Sequence, residues 1–249
     1  MNFNHSEQFT IRDFQVDKQN EASMASICRL LQETAWGHAE KIDLGYRLFK
    51  EGKFWALNRM YFEINRFPVY QENISIETWV KDSPGIFAFR EFCVKDEKGN
   101  ELINCSSKWL LLDLVRRRPC RISSIDRPMP ERIDREFFAL GKDVLKKDPR
   151  GVIIDNTRVG YLDLDRYGHV NNVRYLEWVL ANFSGQHHSE KQLASIDIYF
   201  RKEAVEGDEI QIEQSESSNQ DHQEIYLVNK EAGTLYSGSI LSWKERLGG

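Results

Sequence analysis

Two matching stretches decide the fold: Ile74-Ser75-Ile76-Glu77 and Ile210-Gln211-Ile212-Glu213. They lie 136 positions apart in a chain of 249 residues. Trp109 and Trp243 lie 134 positions apart, each near the end of the last strand-like run of its half. One such match arises easily by chance, but two matches with nearly equal offsets indicate that the chain contains a duplicated unit.

The two halves also repeat one order of predicted elements. In each half a short strand precedes a helix, which apolar residues at helical spacing predict over residues 21–40 and again from Val170 to Phe183. Gly185 is predicted to end the second helix. Four strand-like runs then follow in each half. The predicted strands are Phe9–Arg12, Phe54–Asn65, Asn73–Val80, Phe87–Val94 and Leu102–Leu114, and then Thr157–Leu162, Ala194–Arg201, Glu209–Gln214, Glu224–Val228 and Leu235–Trp243.

One helix followed by a four-strand antiparallel run buries the helix against one face of the sheet. The predicted fold class is therefore α+β, with tandem hot-dog domains in which two long helices are each wrapped by an antiparallel sheet. The two domains are expected to form an internal pseudo-dimer. We place the N-terminal hot-dog domain at residues 1–118, a basic linker at 119–150 and the C-terminal hot-dog domain at 151–249.

The composition is that of an ordinary soluble protein, with 41% hydrophobic and 29% charged residues. The N-terminus lacks the pattern of a signal peptide, and no apolar run approaches the ~18 residues of a membrane span. The four cysteines lack CxxC spacing and nearby histidine pairs, which predicts reduced, structural thiols. We therefore predict a cytoplasmic location, and the net charge of −5 argues against nucleic acid as the main partner.

Charge is unevenly distributed along the chain. Residues 116–150 carry eleven cations and six anions, a net charge of +5, so the remainder carries −10. A basic patch of this kind can steer a small acidic partner, but a solvated linker has the same composition. Charge alone favours the solvated linker. The cations are Arg116, Arg117, Arg118, Arg121, Arg127, Arg132, Arg135, Lys142, Lys146, Lys147 and Arg150.

The run Asp163-Leu164-Asp165-Arg166-Tyr167-Gly168-His169-Val170-Asn171-Asn172 gathers two carboxylates, an imidazole and two carboxamides directly before the second helix. At a helix N-terminus, backbone N–H groups favour developing negative charge, which suits acyl chemistry without a metal or organic cofactor. The same residue types cap helices, so the residues alone leave capping and catalysis open. The first half has Asn20-Glu21-Ala22-Ser23 at this place, with no histidine, which predicts one active site per chain.

Ordered motifs extend over nearly the whole chain. In the first half they are Leu31-Gln32-Glu33-Thr34-Ala35 with His38, Trp55, Arg59-Met60, Pro68-Val69-Tyr70 and Ile74-Ser75-Ile76-Glu77-Thr78-Trp79, and in the second half Asp163-Leu164-Asp165, His169-Val170-Asn171-Asn172, Tyr175 and Glu203. This ordered set resembles the acyl-acyl-carrier-protein thioesterases, double hot-dog enzymes that release fatty acids in plant plastids and many bacteria. Related hot-dog enzymes share pieces of the His-Val-Asn-Asn motif, whereas the ordered set is specific.

The family's catalytic motif places Asp, Asn and His at alternate positions, with a Glu on the following strand. The matching positions here are Asp165, Tyr167, His169 and Glu203, so Tyr167 replaces the Asn. A phenol offers one donor where a carboxamide offers two donors and an acceptor. Ala204 stands where plant members often have Cys, so this chain has no cysteine nucleophile at that point. The resemblance implies neither a cofactor nor a metal.

Thioester hydrolysis requires an attacking group, a stabilised oxyanion and a proton for the leaving thiolate. Asp165 is the best candidate to activate water or to attack the acyl carbon directly, and both alternatives stay open. The backbone N–H groups around Gly168, His169 and Val170 are predicted to hold the oxyanion. His169 would orient the carbonyl or shuttle a proton, and Glu203 would hold the imidazole or the water.

Other polar residues receive structural interpretations. Asn171 and Asn172 are predicted to cap and orient the helix. His38, near the end of the first helix pattern, is predicted to cap or to pack. His187 and His188 are adjacent in a polar stretch, which predicts a solvated loop rather than a metal site.

The resemblance implies hydrolysis of the fatty-acyl thioester of acyl-carrier protein, which ends fatty acid biosynthesis and releases free fatty acid and the carrier thiol. The N-terminal domain would shape the acyl pocket and the C-terminal domain would carry the catalytic residues. The acidic carrier would dock on the basic linker, and a homodimer is compatible with the sequence. Two alternatives stay open: an acyl-CoA thioesterase of the same fold, and a non-catalytic acyl-carrier binding module.

Overall fold

The chain divides into two compact units, Met1–Gly141 and Lys142–Gly249. A computed structural model describes residues 4–130, 133, 135–141, 145, 151–216, 218–219 and 221–246. Among these residues, none of the helices combines the length and the apolar character needed to cross a membrane.

The first unit is an antiparallel sheet with one long helix. Strand β1 (His5–Thr10) and helix α1 (Met24–Lys41) are followed by a short helix α2 (Tyr46–Lys50). The remaining strands are β2 (Lys53–Ile64), β3 (Asn73–Asp82), β4 (Phe87–Asp96) and β5 (Glu101–Asp113). The strand order is β1-β3-β4-β5-β2, and each neighbouring pair is antiparallel.

The second unit repeats this topology. Its elements are β6 (Gly151–Arg158), α3 (Asn172–Leu180), α4 (Gly185–Glu190), β7 (Lys191–Phe200), β8 (Glu209–Ser215), β9 (His222–Asn229) and β10 (Leu235–Glu245). The strand order is β6-β8-β9-β10-β7, again antiparallel throughout. Since β6, β8, β9, β10 and β7 take the places of β1, β3, β4, β5 and β2, the predicted duplication is confirmed.

The two matching stretches that revealed the repeat belong to the core. Ile74 and Ile76 on β3 are at most 1% exposed, as are Ile210 and Ile212 on β8. In a strand, alternate side chains point to the same face, so each isoleucine pair buries one face of its sheet. The sequence match was therefore a match between equivalent core positions.

Helix α1 begins at Met24, three residues later than predicted. Ser23 is the N-cap, and its hydroxyl accepts a hydrogen bond from the Ser26 N–H at 3.1 Å. Ile27 and Leu31 are fully buried on the face that lies near β1 and β3. Full burial of such a side chain contributes roughly 1.5–3 kcal/mol relative to exposure, so this face fixes the helix on the sheet.

The second helix is shorter than predicted, and the prediction that Gly185 ends it is wrong. Helix α3 ends at Leu180, where the Asn182 side-chain amide donates to the Trp178 carbonyl at 2.8 Å. Ser184 then caps a new helix by accepting from the His187 N–H at 3.1 Å, so Gly185 begins α4. Asn182 and Ser184 supply the stop and start signals that the apolar periodicity does not show.

His187 and His188 consequently lie in α4 rather than in a solvated loop. Both are half-buried, and the ring centroid of His187 lies 4.4 Å from that of Trp243. His187 also packs on Phe183, with the ring centroids 5.0 Å apart. The predicted loop is therefore wrong at this place, and an aromatic cluster anchors the short helix.

The first strand of each half lies earlier in the chain than predicted. Strand β1 ends at Thr10 and β6 ends at Arg158. The apolar residues Tyr161 and Leu162 that suggested a strand lie instead in a 3₁₀ turn, Tyr161–Asp163, and are exposed.

The described part of the predicted linker packs on the first unit. Ile122 and Ile125 are buried in a cluster with Leu111. Further along, the indole N–H of Trp79 donates to the Arg135 carbonyl at 2.8 Å, and the Phe138 N–H donates to the Ser106 hydroxyl at 3.1 Å. The first compact unit extends to Gly141 and so includes this part of the predicted linker. Arg132, Lys142, Lys146, Lys147 and Arg150 lie outside the described residues.

Candidate active site

Three of the four predicted site residues, Asp165, Tyr167 and His169, lie on a tight loop between β6 and α3. An isolated antiparallel bridge joins Leu164 to Val170 and closes the loop. Within it, the Asp165 N–H donates to the His169 carbonyl at 2.7 Å and the Gly168 N–H donates to the Asp165 carbonyl at 3.1 Å. Gly168 has φ +80°, a conformation that glycine adopts at little cost. The glycine therefore brings Asp165 and His169 to the same end of the loop.

The Asp165 carboxylate holds the loop in shape. Its Oδ1 accepts hydrogen bonds from the Tyr167 N–H at 2.8 Å and from the His169 N–H at 3.3 Å. The side chain is half-buried, and its Oδ1 is the oxygen that faces the loop. Oδ1 therefore orders the backbone that carries the histidine.

These contacts contradict the prediction that the amides of this loop hold the oxyanion. The Gly168 N–H donates to the Asp165 carbonyl, the His169 N–H to the Asp165 carboxylate, and the Val170 N–H to the Ala204 carbonyl at 3.0 Å. The Gly168 and His169 amides are used within the loop, and the Val170 amide is bound by a segment that lies more than thirty residues away in the sequence.

Glu203 approaches His169 from the segment that follows β7. Its Oε2 lies 3.5 Å from the His169 Nε2, with side-chain exposures of 43% and 24%. The structure thus brings together the imidazole and the carboxylate that the sequence separates by more than thirty residues. A carboxylate at this distance stabilises an imidazolium and orients the ring.

Tyr167 lies at the exposed tip of the loop. Its hydroxyl accepts a hydrogen bond from the Arg166 guanidinium at 2.6 Å, and the guanidinium carbon lies 4.8 Å from the ring centroid. Arg166 therefore fixes both the ring and the oxygen. Because the hydroxyl oxygen accepts in this contact, its hydrogen is still available for donation to another group.

Asn171 confirms its predicted role as a helix cap. Its Oδ1 accepts from the Val173 N–H at 2.9 Å, and its own N–H donates to the Asp163 carbonyl at 2.9 Å. Asn172 is the first residue of α3. The Asp163 carboxylate caps the preceding turn through the Gly160 N–H at 2.8 Å and accepts from the Arg174 Nε at 2.7 Å. Asp163 is therefore a structural carboxylate.

The first unit contains a copy of this loop without the histidine. The Asp17 N–H donates to the Glu21 carbonyl at 2.8 Å, and the Asp17 Oδ1 accepts from the Glu21 N–H at 3.3 Å. Asn20, at φ +63°, takes the place of Gly168. Sequence reasoning missed the Asp17 counterpart, although the spacing from Asp17 to Ser23 equals that from Asp165 to Asn171.

Family models cover almost the entire chain. The acyl-ACP thioesterase N-terminal domain matches residues 2–125, and the acyl-ACP thioesterase C-terminal domain matches residues 146–245. This chain belongs to the acyl-ACP thioesterase family. The resemblance seen in the ordered motifs is thereby confirmed.

Members of this family from plants are similar in sequence. A palmitoyl-acyl carrier protein thioesterase of Arabidopsis thaliana is 28% identical over 218 residues, which is 79% of this chain and 51% of that protein. Oleoyl-acyl carrier protein thioesterase 2 of the same plant is 28% identical over 261 residues, covering 97% of this chain and 69% of that protein. The chain thus spans about half the length of the first relative and about two thirds of the second.

Solved structures share the fold over the full chain. An acyl-ACP thioesterase from Bacteroides thetaiotaomicron has a TM-score of 0.83 at 24% identity, covering 98% of both chains. A 12:0-ACP thioesterase from Umbellularia californica has a TM-score of 0.81 at 20% identity, covering 99% of both. The α+β tandem hot-dog fold predicted for this family member is confirmed.

We expect the Tyr167 hydroxyl to replace the family's carboxamide, because Arg166 holds it at the loop tip. Tyr167→Phe should lower kcat by roughly three- to tenfold, the range for one lost hydrogen bond, and Tyr167→Asn should keep more activity than the Phe variant. Steady-state thioester hydrolysis measures both. Tyr161→Phe, which changes a 77% exposed tyrosine nearby, is the control. Wild-type rates in Tyr167→Phe would show that the ring only packs on Arg166.

Proposed function

We propose that this family member hydrolyses the fatty-acyl thioester of acyl-carrier protein, releasing free fatty acid and the carrier thiol and so terminating fatty acid synthesis. The main supporting observation is that the Glu203 Oε2 lies 3.5 Å from the Nε2 of His169, which shares its loop with Asp165. The first-unit copy of this loop has Glu21 in place of the histidine. A helix-capping loop has no need of an acid–base pair, and the names of the sequence relatives point to this substrate class.

The proposed chemistry uses four residues of the second unit. Asp165 removes a proton from water as the new C–O bond forms, or attacks the acyl carbon itself to form an acyl–Asp165 anhydride that water then hydrolyses. His169 donates a hydrogen bond to the developing oxyanion, because the loop amides are engaged elsewhere, and Glu203 stabilises the imidazolium. When the C–S bond breaks, His169 gives its proton to the leaving thiolate. Tyr167 orients the water or the carbonyl in place of the family's carboxamide.

The decisive test is thiol release measured side by side from acyl-acyl-carrier protein, acyl-CoA and acyl-pantetheine with one acyl chain. We expect the highest kcat/KM with the carrier protein. A preference for acyl-CoA would replace the proposal by the acyl-CoA thioesterase alternative. Tight binding of the carrier without thiol release would establish the binding module instead.

The acidic carrier is proposed to dock on an arginine cluster, which we define as Arg116, Arg117, Arg118 and Arg121. The first three lie on an exposed turn closed by the Leu112–Pro119 bridge, and Arg121 is exposed as well. Within the turn the Asp113 Oδ1 accepts a hydrogen bond from the Arg116 N–H at 2.6 Å. A cluster of exposed cations complements an acidic protein and raises its association rate.

Reversing two charges of this cluster, as in Arg116→Glu with Arg118→Glu, should raise KM for the acyl carrier about tenfold and leave kcat nearly unchanged. Added salt should weaken the wild type more than the variant, because exposed charges are screened over about 8 Å at physiological ionic strength. Acyl-pantetheine is the control substrate, since it lacks the protein that the arginines would contact. Equal losses with both substrates would show that the cluster supports the first unit and not docking.

Four further predictions complete the proposal. The cytoplasmic location, a homodimer, an acyl pocket in the N-terminal hot-dog domain and the domain bounds 1–118, 119–150 and 151–249 stay predictions. Size-exclusion chromatography with light scattering tests the homodimer, and the chain-length preference of first-unit core variants tests the pocket.

A further inference from the structure

A long-range hydrogen bond anchors the segment that carries Glu203. The peptide N–H between Glu203 and Ala204 donates to the hydroxyl of Tyr175 at 2.9 Å, and the Ala204 carbonyl accepts from the Val170 N–H at 3.0 Å. Tyr175 and Ala204 are at most 2% exposed. Helix α3 and the end of the catalytic loop therefore clamp the backbone beside Glu203 from both sides.

The clamp acts on a segment that no helix or strand holds in place. Glu203 lies in this segment, beyond the last residue of β7, and its side chain is 43% exposed. The 3.5 Å separation from His169 is already longer than a hydrogen bond. A small shift of this backbone would therefore separate the imidazole from the carboxylate.

At the equivalent positions of the first unit, both groups of the hydrogen bond between the Ala204 N–H and the Tyr175 hydroxyl are missing. Tyr175 is the fourth residue of α3, and the fourth residue of α1 is Ile27, which has no hydroxyl. The Val170–Ala204 contact has its counterpart in the Ala22 N–H, which donates to the Pro68 carbonyl at 2.7 Å. Proline has no N–H, so donor and acceptor are both missing from the copy that also lacks the histidine.

We propose that Tyr175 is a positioning residue: its hydroxyl holds the Glu203 backbone so that the carboxylate stays within reach of His169. This inference deepens the proposed function and rests on it for its catalytic consequence. A general packing role does not account for the pattern, since Ile27 packs equally well at the equivalent helix position and is fully buried.

Tyr175→Phe removes the acceptor and keeps the ring. We expect kcat to fall about tenfold with KM within about twofold of wild type, because substrate binding does not use the clamp. The decisive measurement is a double-mutant cycle with Glu203→Gln. If Tyr175 acts through Glu203, Tyr175→Phe should cause less than a twofold further loss in the Glu203→Gln protein.

Tyr226→Phe is the matched control, because Tyr226 is also buried in the second unit and its hydroxyl donates to the Glu224 carboxylate at 2.7 Å. It should lower stability and leave kcat unchanged. The NMR signals of the His169 imidazole provide a readout without substrate. They should shift in the same direction in Tyr175→Phe and Glu203→Gln and stay in place in Tyr226→Phe.

Independent, multiplicative losses in the double mutant, or unmoved His169 signals in a folded Tyr175→Phe protein, would overturn the proposal. If Tyr175→Phe does not fold, Ala204→Pro removes the donor instead, copies Pro68 of the first unit and should produce the same loss and the same signal shift. Absence of thiol release by the wild type would refute the proposed function, while the His169 signals would still decide the role of Tyr175.

Discussion

Asp165→Asn should lower kcat by at least about a hundredfold while the protein stays folded. An Asn oxygen can still accept from the Tyr167 and His169 N–H groups that Asp165 Oδ1 binds, so the loop keeps its shape. What the variant loses is the negative charge and the basicity needed to take a proton from water. His169→Ala should cause a loss of similar size, because it removes the imidazole that lies beside Glu203 and that we propose protonates the leaving thiolate.

The first unit provides the control for this prediction. Asp17→Asn makes the same chemical change in a loop with the same hydrogen bonds, but beside Glu21 instead of a histidine. We expect wild-type kcat and KM from Asp17→Asn. Circular dichroism and urea unfolding of both Asn variants establish that each loop is intact.

Two results would contradict the assignment. Near-normal kcat in a folded Asp165→Asn protein would mean that the carboxylate is only a loop cap. Equal losses in Asp165→Asn and Asp17→Asn would mean that the loops support the fold and that the second-unit residues have no special role. Single-turnover thiol release separates a chemical defect from slow product release in either case.

The sequence predicted the duplication and most strands because their signals are local. Alternating burial places Ile74 and Ile76 on one face of β3, and the same spacing recurs at Ile210 and Ile212. The loop of the candidate site was equally visible, since Asp165, Gly168 and His169 lie within five positions of each other. Local periodicity and turn chemistry thus sufficed for the scaffold.

What the sequence could not provide is long-range pairing of backbone groups. The Val170 amide looked available until the structure showed its hydrogen bond to the Ala204 carbonyl. For the same reason, Tyr175 was visible only as part of a motif, because its partner is the backbone of Ala204. The break between α3 and α4 was missed because the polar side chains of Asn182 and Ser184 decide it.

His38 is predicted to set the acid stability of the first unit. It is 2% exposed, and its Nδ1 lies 2.9 Å from the Arg90 Nη1, which also donates to the Thr78 hydroxyl. A guanidinium can only donate, so His38 Nδ1 accepts and the ring is neutral. Burial lowers the pKa of His38 to about 3, and the positive charges of Arg90 and Lys41 act in the same direction.

The sign of the pH dependence follows from this lowered pKa. Between pH 6.5 and about 3 the unfolded chain binds a proton at His38 that the folded protein excludes, so stability is complete above pH 6.5 and is lost as the pH falls. From pH 7 to pH 5 the free energy of unfolding should fall by about 2 kcal/mol from this residue alone.

His38→Asn keeps an acceptor for Arg90 but cannot be protonated, so it should remove most of this loss. Urea unfolding followed by tryptophan fluorescence at pH 7 and pH 5 measures the difference between the variant and the wild type. His222→Asn removes an exposed histidine of the second unit and should leave the loss unchanged. If His38→Asn and the wild type lose equal stability between the two pH values, the buried imidazole is not the acid-sensitive group. The loss would then have to come from other groups that take up protons on unfolding.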